Sequence, residues 1–445
     1  MKQYNILDYG AIADGVTNNA AAIQQAIDEA SAAGGRVVIP QGKYLSGTLV
    51  LKSNIDFHLE KGAVLISSLN QEDIMDFAKL FEDDNACTGW DGGCFLFACH
   101  EENITISGEG VIYGQGDKVF IDDDVDGGAH ECPLSVAAFR PRTTFLEDVT
   151  NLTVRDITIQ DAAFWTLHMA GCHHVRVQDI KILNDVRGAN NDGIDPDCCK
   201  DVLITGCLVK TGDDAIVIKT TKPMTQRYGA SENIVISNCI LYSHDSALKI
   251  GTETHDDIRN VILSDCVIKD CSRGVGIWVR DGATIEDVHI HHVTGNVLKY
   301  ADGIGEHRTR MWWGNGEPIF LNATYRNGEH HNPGKIRNIT FDHIYMKAES
   351  SIFAAGEKDA VIENVQLTDL NITMCHQGTQ PSGYFDEQPS EKNVYEHTIP
   401  AVYGRYAENL VVTGRVHYEA PYNVESNPIQ QLDNCKNTQI SMQEV

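Results

Sequence analysis

The sequence predicts an all-β fold, a parallel β-helix solenoid with a capping helix at its N-terminal end. A unit that starts with Asn, Asp or His and continues with alternating apolar residues recurs at Asn151, His174, Asp201, Asn233 and Asn260. Successive anchors lie 23, 27, 32 and 27 residues apart, and no helical pattern separates them. A repeat of this length with two-residue alternation is typical of stacked β-coils.

One phase of the repeat predicts the interior of the stack. Six residues after each anchor stands a small or branched apolar residue: Ile157, Ile180, Cys207, Cys239 and Cys266. Because a buried free cysteine behaves as a small hydrophobe, we expect the three thiols to be unpaired members of an interior ladder.

The capping helix is predicted over residues 17–34. Thr17, Asn18 and Asn19 offer N-caps, Ile23 and Ile27 give an apolar stripe, and the glycines at 34 and 35 end the helix. Terminal coils of a solenoid need a cover, so we expect this helix to close the N-terminal end.

Three segments interrupt the repeat within what we interpret as one domain over residues 1–445. Residues 70–100 and 115–140 are predicted to be long loops beside a cleft, and residues 376–400 a loop excursion. Asp122, Asp124 and Asp126 resemble the start of a calcium loop, but Pro133 stands where the bidentate Glu belongs. We therefore predict no metal and no cofactor.

Composition restricts the partners and the compartment. The net charge of −28 argues against nucleic acid and anionic membrane surfaces as partners. The start of the sequence shows no apolar leader, and the 13 cysteines are odd in number. We expect a cytoplasmic protein, with a secreted or periplasmic protein that has lost its leader as the alternative. The oligomeric state stays open.

Three aspartates carry the chemistry that the sequence predicts. Asp192 precedes the pair Asp213 and Asp214 by 21 residues, which is about one coil. Since neighbouring parallel strands lie about 4.8 Å apart, we expect the three carboxyls to form one patch. Close like charges raise at least one pKa. Glycoside hydrolysis needs such a set, with one carboxyl to protonate the leaving oxygen and another to activate water.

Five segments together resemble polygalacturonase-like enzymes of glycoside hydrolase family 28. They are residues 190–193 (NNDG), 212–214 (GDD), 8–15 (DYGAIADG), 164–168 (FWTLH) and 312–318 (WWGNGEP). Asn191 replaces the usual Thr. The resemblance implies a right-handed β-helix and hydrolysis with inversion. It also implies that Asp213 is the general acid and that Asp192 and Asp214 activate water.

The segments that bind galacturonate in this family differ from the family pattern in this sequence. Residues 245–247 (DSA) stand in the register of Gly-His-Gly, and residues 276–278 (GIW) in that of Arg-Ile-Lys. Alternation with Ile277 and Val279 places the indole of Trp278 on the cleft face, where it would stack on a sugar ring. Lys249 and Arg280 are candidate replacements for the lost cations or ordinary surface charges. The candidate substrate-binding residues are His168, His244, Asp245, Ser246, Lys249, Trp278 and Arg280.

The sequence therefore predicts an inverting glycoside hydrolase. We expect it to attack a short plant-derived oligosaccharide or glycoside from one end, with a neutral sugar in the site and not polygalacturonan. An exo-polygalacturonase acting on oligogalacturonate is one alternative. A calcium-dependent lyase or epimerase and a non-catalytic carbohydrate-binding β-helix are the others.

Overall fold

The computed structural model describes residues 1–76, 93–122, 132–301, 312–326 and 331–445. Its strands pair in parallel from one coil to the next and form a right-handed parallel β-helix with three sheets. The predicted fold class is confirmed. One cluster of buried apolar side chains extends through the stack from Tyr4 to Met442.

Each sheet contains one strand from successive coils. The first sheet contains Lys2–Asn5, Gly35–Ile39, Ile55–Leu59, Ile104–Gly108, Thr153–Arg155, His173–Gln178, Lys200–Thr205 and Ser231–Ser237. The second contains Asp14–Asn18, Gly42–Ser46, Ala63–Ser67, Val111–Tyr113, Thr158–Gln160, Lys181–Leu183, Leu208–Thr211 and Ile240–Ser243. Both continue in the long strands Ile258–Cys271, Thr284–Val297, Lys335–Ala348, Ile362–Met374 and Ala407–Tyr418, and both end with Gln439–Glu444.

The third sheet carries the candidate site. Its strands are Leu49–Val50, Cys94–Glu102, Arg142–Thr150, Leu167–Ala170, Ile194–Asp197, Ile216–Thr220, Ser246–Thr254, Arg273–Val279, Glu317–Ala323, Ile352–Ala355, Val402–Arg405 and Gln430–Asp433. Single turns of 3-10 helix lie at Ile6–Tyr9, Gln71–Asp73 and Gly116–Lys118.

The anchor residues of the repeat bend the chain between coils. Asn151, His174, Asp201, Asn233 and Asn260 all have φ between 54° and 61°, a left-handed conformation that Asn, Asp and His tolerate best. Their side chains also bond along the stack, since the Asn233 amide donates to Asp201 and the Asn260 amide to Asn233, each at 2.9 Å. The anchors therefore stabilise both the turn and the stacking.

The predicted interior ladder is confirmed. Ile157, Ile180, Cys207, Cys239 and Cys266 are all buried in the apolar core. The three thiols form no disulfide, and neither does any other of the twelve cysteines in the described parts of the chain.

The predicted capping helix is shorter than expected and begins at Ala20. It spans Ala20–Ala33 and buries Ile23 and Ile27 against the first coils. The expected caps at 17–19 are partly occupied elsewhere, because Asp14–Asn18 is a strand and the Asn19 amide oxygen accepts from the Ile12 N–H. The helix ends before Gly34, as predicted.

The interruptions contain more regular structure than predicted. Residues 94–100 belong to a strand of the third sheet rather than to a loop. Short antiparallel pairs lie within the other two segments, Phe120–Ile121 with Ser135–Val136 and Tyr384–Asp386 with Val394–Glu396. The remainder of the first loop (77–92), together with Asp124, Asp126 and the rest of 123–131, lies outside the described residues.

A second helix, Lys222–Tyr228, interrupts the coil after the strand Ile216–Thr220. Within the described residues, no helix combines the length and the apolar character needed to cross a bilayer.

Candidate active site

Strand register in the third sheet brings the catalytic candidates together. Ile194 pairs with Ile216, which pairs with Leu248, and Leu248 pairs with Val275. The residues two positions earlier in sequence are Asp192 and Asp214, just before their strands, and Ser246 and Arg273, at the start of theirs. The stack therefore aligns a row of polar side chains over an apolar row.

The three aspartates form one compact carboxylate cluster. One oxygen from each of Asp192, Asp213 and Asp214 lies within 4.8 Å of the other two, and all three side chains are buried. This is the proximity that the repeat predicts. Its chemical value depends on how the negative charge is distributed.

Main-chain donors fix Asp213. The Asn190 N–H donates to its Oδ2 (3.2 Å) and the Asp214 N–H to its Oδ1 (3.0 Å). The amide oxygen of Asn191 accepts from the N–H groups of Gly212 and Asp213, so this replacement for the family Thr pins the turn. The carboxyl thus has a fixed orientation.

Two lysines neutralise the other carboxylates. Lys219 Nζ lies 3.2 Å from Asp192 Oδ2 and 3.5 Å from Asp195 Oδ1. Lys249 Nζ lies 2.9 Å from Asp214 Oδ2 and 3.5 Å from Asp245 Oδ2. Charged groups almost never become fully buried unless they are paired, and these contacts supply the pairs.

Burial raises the pKa of both adjacent aspartates. Burial raises the pKa of Asp213 well above its usual range, and the charges of Asp192, Asp214 and Asp245 add to the effect. Burial also raises the pKa of Asp214, to about 7, although the Lys249 ammonium opposes the shift. Carboxyls whose pKa values are driven up in this way can hold a proton for transfer. Asp213 is therefore suited to act as the acid.

The cluster opens into a cleft of about 400 Å³, within the size range of small-ligand sites. Its wall contains Trp165, Asn190, Asp192, Asp213, Asp214, Lys219, Lys249, Thr252, Glu253, Arg273, Trp278, Trp312, Gln388, Pro389 and Asn393. The last three come from the excursion at 376–400, so this segment lies beside the site.

Trp278 lines the cleft but is not an open platform. Its side chain is only 1% exposed, with the ring of Phe320 at 4.8 Å. The Lys249 ammonium and the Arg273 guanidinium lie 5.3 and 5.2 Å from the centre of the indole. The expectation of a flat face free for a sugar is corrected, because cations and an aromatic ring already cover the indole.

Five of the seven predicted substrate-binding residues lie away from the described wall of the cleft. His168 is buried between Phe145 and Trp165 and near Asp197 (3.4 Å), and burial lowers its pKa to about 4. His244 stacks on Tyr300 with ring centres 3.6 Å apart. Both histidines pack against aromatic rings and do not line the described wall of the cleft.

Arg280 also lies away from the described wall and contacts the excursion at 376–400. Its guanidinium donates to the carbonyls of Pro389, Asn322 and Glu387. Asp245 and Ser246 are fully buried behind the wall, where Asp245 accepts from Arg273 (3.1 Å) and Ser246 (3.2 Å). Of the seven predicted substrate-binding residues, Lys249 and Trp278 line the cleft.

Two cations of the cleft wall, Lys219 and Arg273, were not among the predicted site residues. Lys219 occupies an outward position on Ile216–Thr220, with Val217 two residues before it. Arg273 stands directly across from Ser246 in the register. Alternation along each strand after the aspartates could have found Lys219, and counting two residues back from Val275 could have found Arg273.

The carboxylate cluster is close enough to bind a cation. The ammonium groups of Lys219 and Lys249 already supply positive charge to Asp192 and Asp214. This arrangement argues against the calcium-dependent lyase or epimerase, which would need the carboxylates for the metal.

Known sequences match this chain over most of its length. The profile of Glycosyl hydrolases family 28 matches residues 35–386, and a Rhamnogalacturonase A/epimerase, pectate lyase-like profile matches residues 3–65. A probable polygalacturonase of Vitis vinifera is 26% identical over 72% of this chain and 67% of its own. An exo-poly-alpha-D-galacturonosidase of Dickeya chrysanthemi is 27% identical over 64% of this chain, which spans only 53% of that relative.

Solved structures support the fold. A family 28 exopolygalacturonase of Yersinia enterocolitica superposes with a TM-score of 0.71 at 18% identity, covering 100% of this chain and 79% of its own. An exopolygalacturonase of Thermotoga maritima superposes with a TM-score of 0.61 at 21% identity, covering 86% and 89%. The extent of the profile match shows that the chain belongs to glycosyl hydrolases family 28 and is a glycoside hydrolase of O-glycosyl bonds.

Proposed function

We propose that this protein is an inverting hydrolase that removes a sugar from the end of a short plant-derived oligosaccharide or glycoside. The observation that carries the proposal is the compact cluster of Asp192, Asp213 and Asp214 in the wall of a cleft of substrate size. Asp213 protonates the leaving oxygen, and Asp192 and Asp214 activate the water. This division follows their different environments.

Two unpaired oxygens support water activation. Asp192 Oδ1 and Asp214 Oδ1 are buried and have no hydrogen-bond partner within the described residues. A water molecule donates two hydrogen bonds, and two such acceptors would hold and polarise it. Asp213 is not needed as a base and remains available as the acid.

The separation of the carboxyl groups does not predict inversion of configuration. The oxygens lie within 4.8 Å, whereas the two carboxyls of ordinary inverting glycosidases are roughly 6.5–9.5 Å apart. Separation alone would favour retention. The proposal of inversion rests on family membership and on the paired acceptors, and NMR of the first-formed anomer tests it.

Attack from the end of the substrate is supported by the excursion. Gln388, Pro389 and Asn393 stand in the same wall as the aspartates, so the excursion limits how far a chain can extend along the cleft. A sugar chain bound against such a wall presents its terminal unit to Asp213. Early products from a long substrate should then be one short species rather than a ladder of sizes.

A neutral sugar is supported by the charge pattern. Each cation of the wall already has at least two carboxylate neighbours, since Arg273 lies near Asp245, Glu317 and Asp386 at 3.1–3.6 Å, as Lys219 and Lys249 lie near theirs. A substrate carboxylate would have to compete with these pairs. Hydroxyl groups both donate and accept, and the wall offers the unpaired Asp oxygens together with the indole N–H groups of Trp278 and Trp312.

Oligogalacturonate is the second candidate substrate. The relatives described above are named for galacturonate hydrolysis, and Lys249 and Arg273 bring cations into the cleft wall. The site would then use cations at other positions than those of the family pattern, Lys249 on the neighbouring strand and Arg273 three residues before Gly276 on the same strand.

A direct comparison of substrates separates the two candidates. Purified enzyme is incubated with oligogalacturonates of graded length and with neutral-sugar oligosaccharides and aryl glycosides, and products are resolved by size. Faster turnover of a neutral glycoside is expected, and efficient cleavage of oligogalacturonate alone would reverse the assignment. Sugar binding without cleavage of any substrate would support the non-catalytic β-helix.

A further inference from the structure

Two lysines hold two of the carboxylates in matching ways. Lys219 Nζ contacts Asp192 through Oδ2 (3.2 Å), and Lys249 Nζ contacts Asp214 through Oδ2 (2.9 Å). In both aspartates the buried Oδ1 has no hydrogen-bond partner among the residues that the structure describes. Each carboxylate thus has one tethered oxygen and one unpaired oxygen.

We propose that Lys219 and Lys249 are a matched pair of positioning residues for the hydrolytic water. Each would hold one carboxylate by a single oxygen, so that the second oxygen stays available to accept a hydrogen bond from the water. The inference rests on the proposed function for the roles of Asp192 and Asp214. It adds two residues that act through those carboxylates and not on the sugar.

An indole ring backs each lysine. The ring centre of Trp165 lies 3.8 Å from Lys219 Nζ, and that of Trp278 lies 5.3 Å from Lys249 Nζ. A cation over an aromatic face is attracted by the ring, and a ring behind an ammonium group restricts its position. The same three-part arrangement of indole, ammonium and carboxylate therefore occurs on two different coils.

Gly276 makes the second arrangement possible. It pairs with Lys249 in the register, and a Cβ atom built on it would stand 2.1 Å from Cζ3 of Trp278. Any residue larger than glycine at 276 would displace the indole. The absence of the family cations at 276 and 278 and the presence of a cation at 249 are therefore structurally coupled.

Lys249 is decisive for the charge of Asp214. The acidic neighbours of Asp214 are Asp192, Asp195, Asp213 and Asp245. Its cationic neighbours are Lys249, Lys219 and Arg273. Only Lys249 makes a direct ion pair with Asp214 among the described residues. Without that ammonium group, burial and four acidic neighbours would favour the protonated form.

The test is the pH dependence of kcat/KM in Lys249→Met, which preserves length and removes the charge. The acid limb, where activity falls as the base takes up a proton, should move to higher pH by about 1–3 units. Each unit lowers activity on that limb about tenfold. Lys249→Arg should restore the wild-type limb. Lys210→Met on the strand Leu208–Thr211 of the second sheet is the matched control, since Lys210 is exposed.

A second pair of variants distinguishes a shift of the acid limb from a loss of folded enzyme. Lys249→Met leaves Asp245 without one of its partners, so the variant is repeated in an Asp245→Asn background and compared with Asp245→Asn alone. The acid limb should again move upward. A merely structural lysine would lower the amount of folded enzyme and leave the limb in place.

A measurement without substrate separates this inference from the proposed function. Carboxyl-¹³C NMR of aspartate-labelled protein follows the titration of Asp214, whose signal is assigned by its loss in Asp214→Asn. The titration should move upward in Lys249→Met. An unmoved titration, or an unmoved acid limb with a higher KM for oligogalacturonate alone, would overturn the inference and make Lys249 a substrate contact. A wild-type enzyme that cleaves no glycoside would refute the proposed function instead.

Discussion

At the scale of single residues, Gly276 and Trp278 show that two departures from a family pattern can be one structural change. The indole occupies the space above the glycine, where a Cβ atom would lie 2.1 Å from the ring. Sequence alternation placed Trp278 toward the cleft, which the structure supports. It could not reveal that Lys249, Arg273 and Phe320 cover the ring, because Lys249 and Phe320 lie on neighbouring coils and Arg273 stands five residues earlier on the same strand.

The first prediction concerns Asp213. Asp213→Asn keeps the size of the side chain and removes its proton, and general acid catalysis is worth about 10² to 10⁴ in rate. We expect kcat to fall by that factor with little loss of folded protein, measured by initial rates and thermal unfolding.

Asp201→Asn is its matched control. Asp201 is an exposed anchor on a neighbouring strand, and other anchors of the repeat are naturally Asn. Its rate should equal that of the wild type. Near-normal turnover in Asp213→Asn would exclude it as the acid.

The interior thiols permit a second prediction. Cys239 is 1% exposed and lies in the ladder between Cys207 and Cys266. Cys239→Ser places a more polar group among apolar neighbours, at about 1–3 kcal/mol if the hydroxyl is unpaired. Denaturant unfolding should show that loss, with activity per folded molecule unchanged. Rapid thiol labelling of native protein at this position would contradict the ladder.

At the scale of elements, the excursion at 376–400 connects the stack to the cleft. Glu387 accepts two hydrogen bonds from Arg405, both at 2.7 Å, and one each from Asn322 (2.8 Å) and Tyr395 (2.7 Å). These contacts fix the segment just before Gln388 and Pro389, which stand in the cleft wall. The polar composition and three prolines indicated an excursion but not its attachment points.

The third prediction tests this attachment. Glu387→Gln leaves the guanidinium of Arg405 without its buried charge partner, and breaking such a pair costs about 3–5 kcal/mol. We expect faster proteolysis within 376–400 and a higher KM, with a smaller effect on kcat. The exposed Glu396 lies in the same hairpin, and Glu396→Gln should change neither quantity. Equal proteolysis of both variants would show that Glu387 does not anchor the segment.

An element could be predicted from the sequence where its pattern was repeated or where its signals were local. Strands after each anchor were predictable because five copies shared one phase, and the helix because its apolar stripe and terminal glycines are local signals. The strand Cys94–Glu102 was misinterpreted as loop, since its apolar run lacks the alternation seen at the anchors. The outward cations Lys219 and Arg273 were missed because their partners lie on neighbouring coils.

At the scale of the whole molecule, stacking turns local spacing into a site. Residues about 20 to 30 apart in sequence become lateral neighbours across coils, as Ile194, Ile216, Leu248 and Val275 show. A cleft that depends on register across four coils tolerates little displacement of any one coil. Stability of the stack and geometry of the site are therefore linked.

The same stacking concentrates negative charge, which gives the last prediction. The net charge is −28 at pH 7, and the sequence pI is near 4.9. With coils about 4.8 Å apart, a Debye length of about 30 Å at 0.01 M salt lets charges on some six coils repel one another. At 0.15 M the Debye length falls to about 8 Å, so the repulsion extends over fewer than two coils.

We expect that raising sodium chloride from 0.01 M to 0.15 M at pH 8 will raise Tm, measured by differential scanning calorimetry. At pH 5, close to the pI, the net charge is small and the same salt step should leave Tm almost unchanged. An equal rise at both pH values would mean that salt acts on burial of apolar surface and not on the charge of the solenoid.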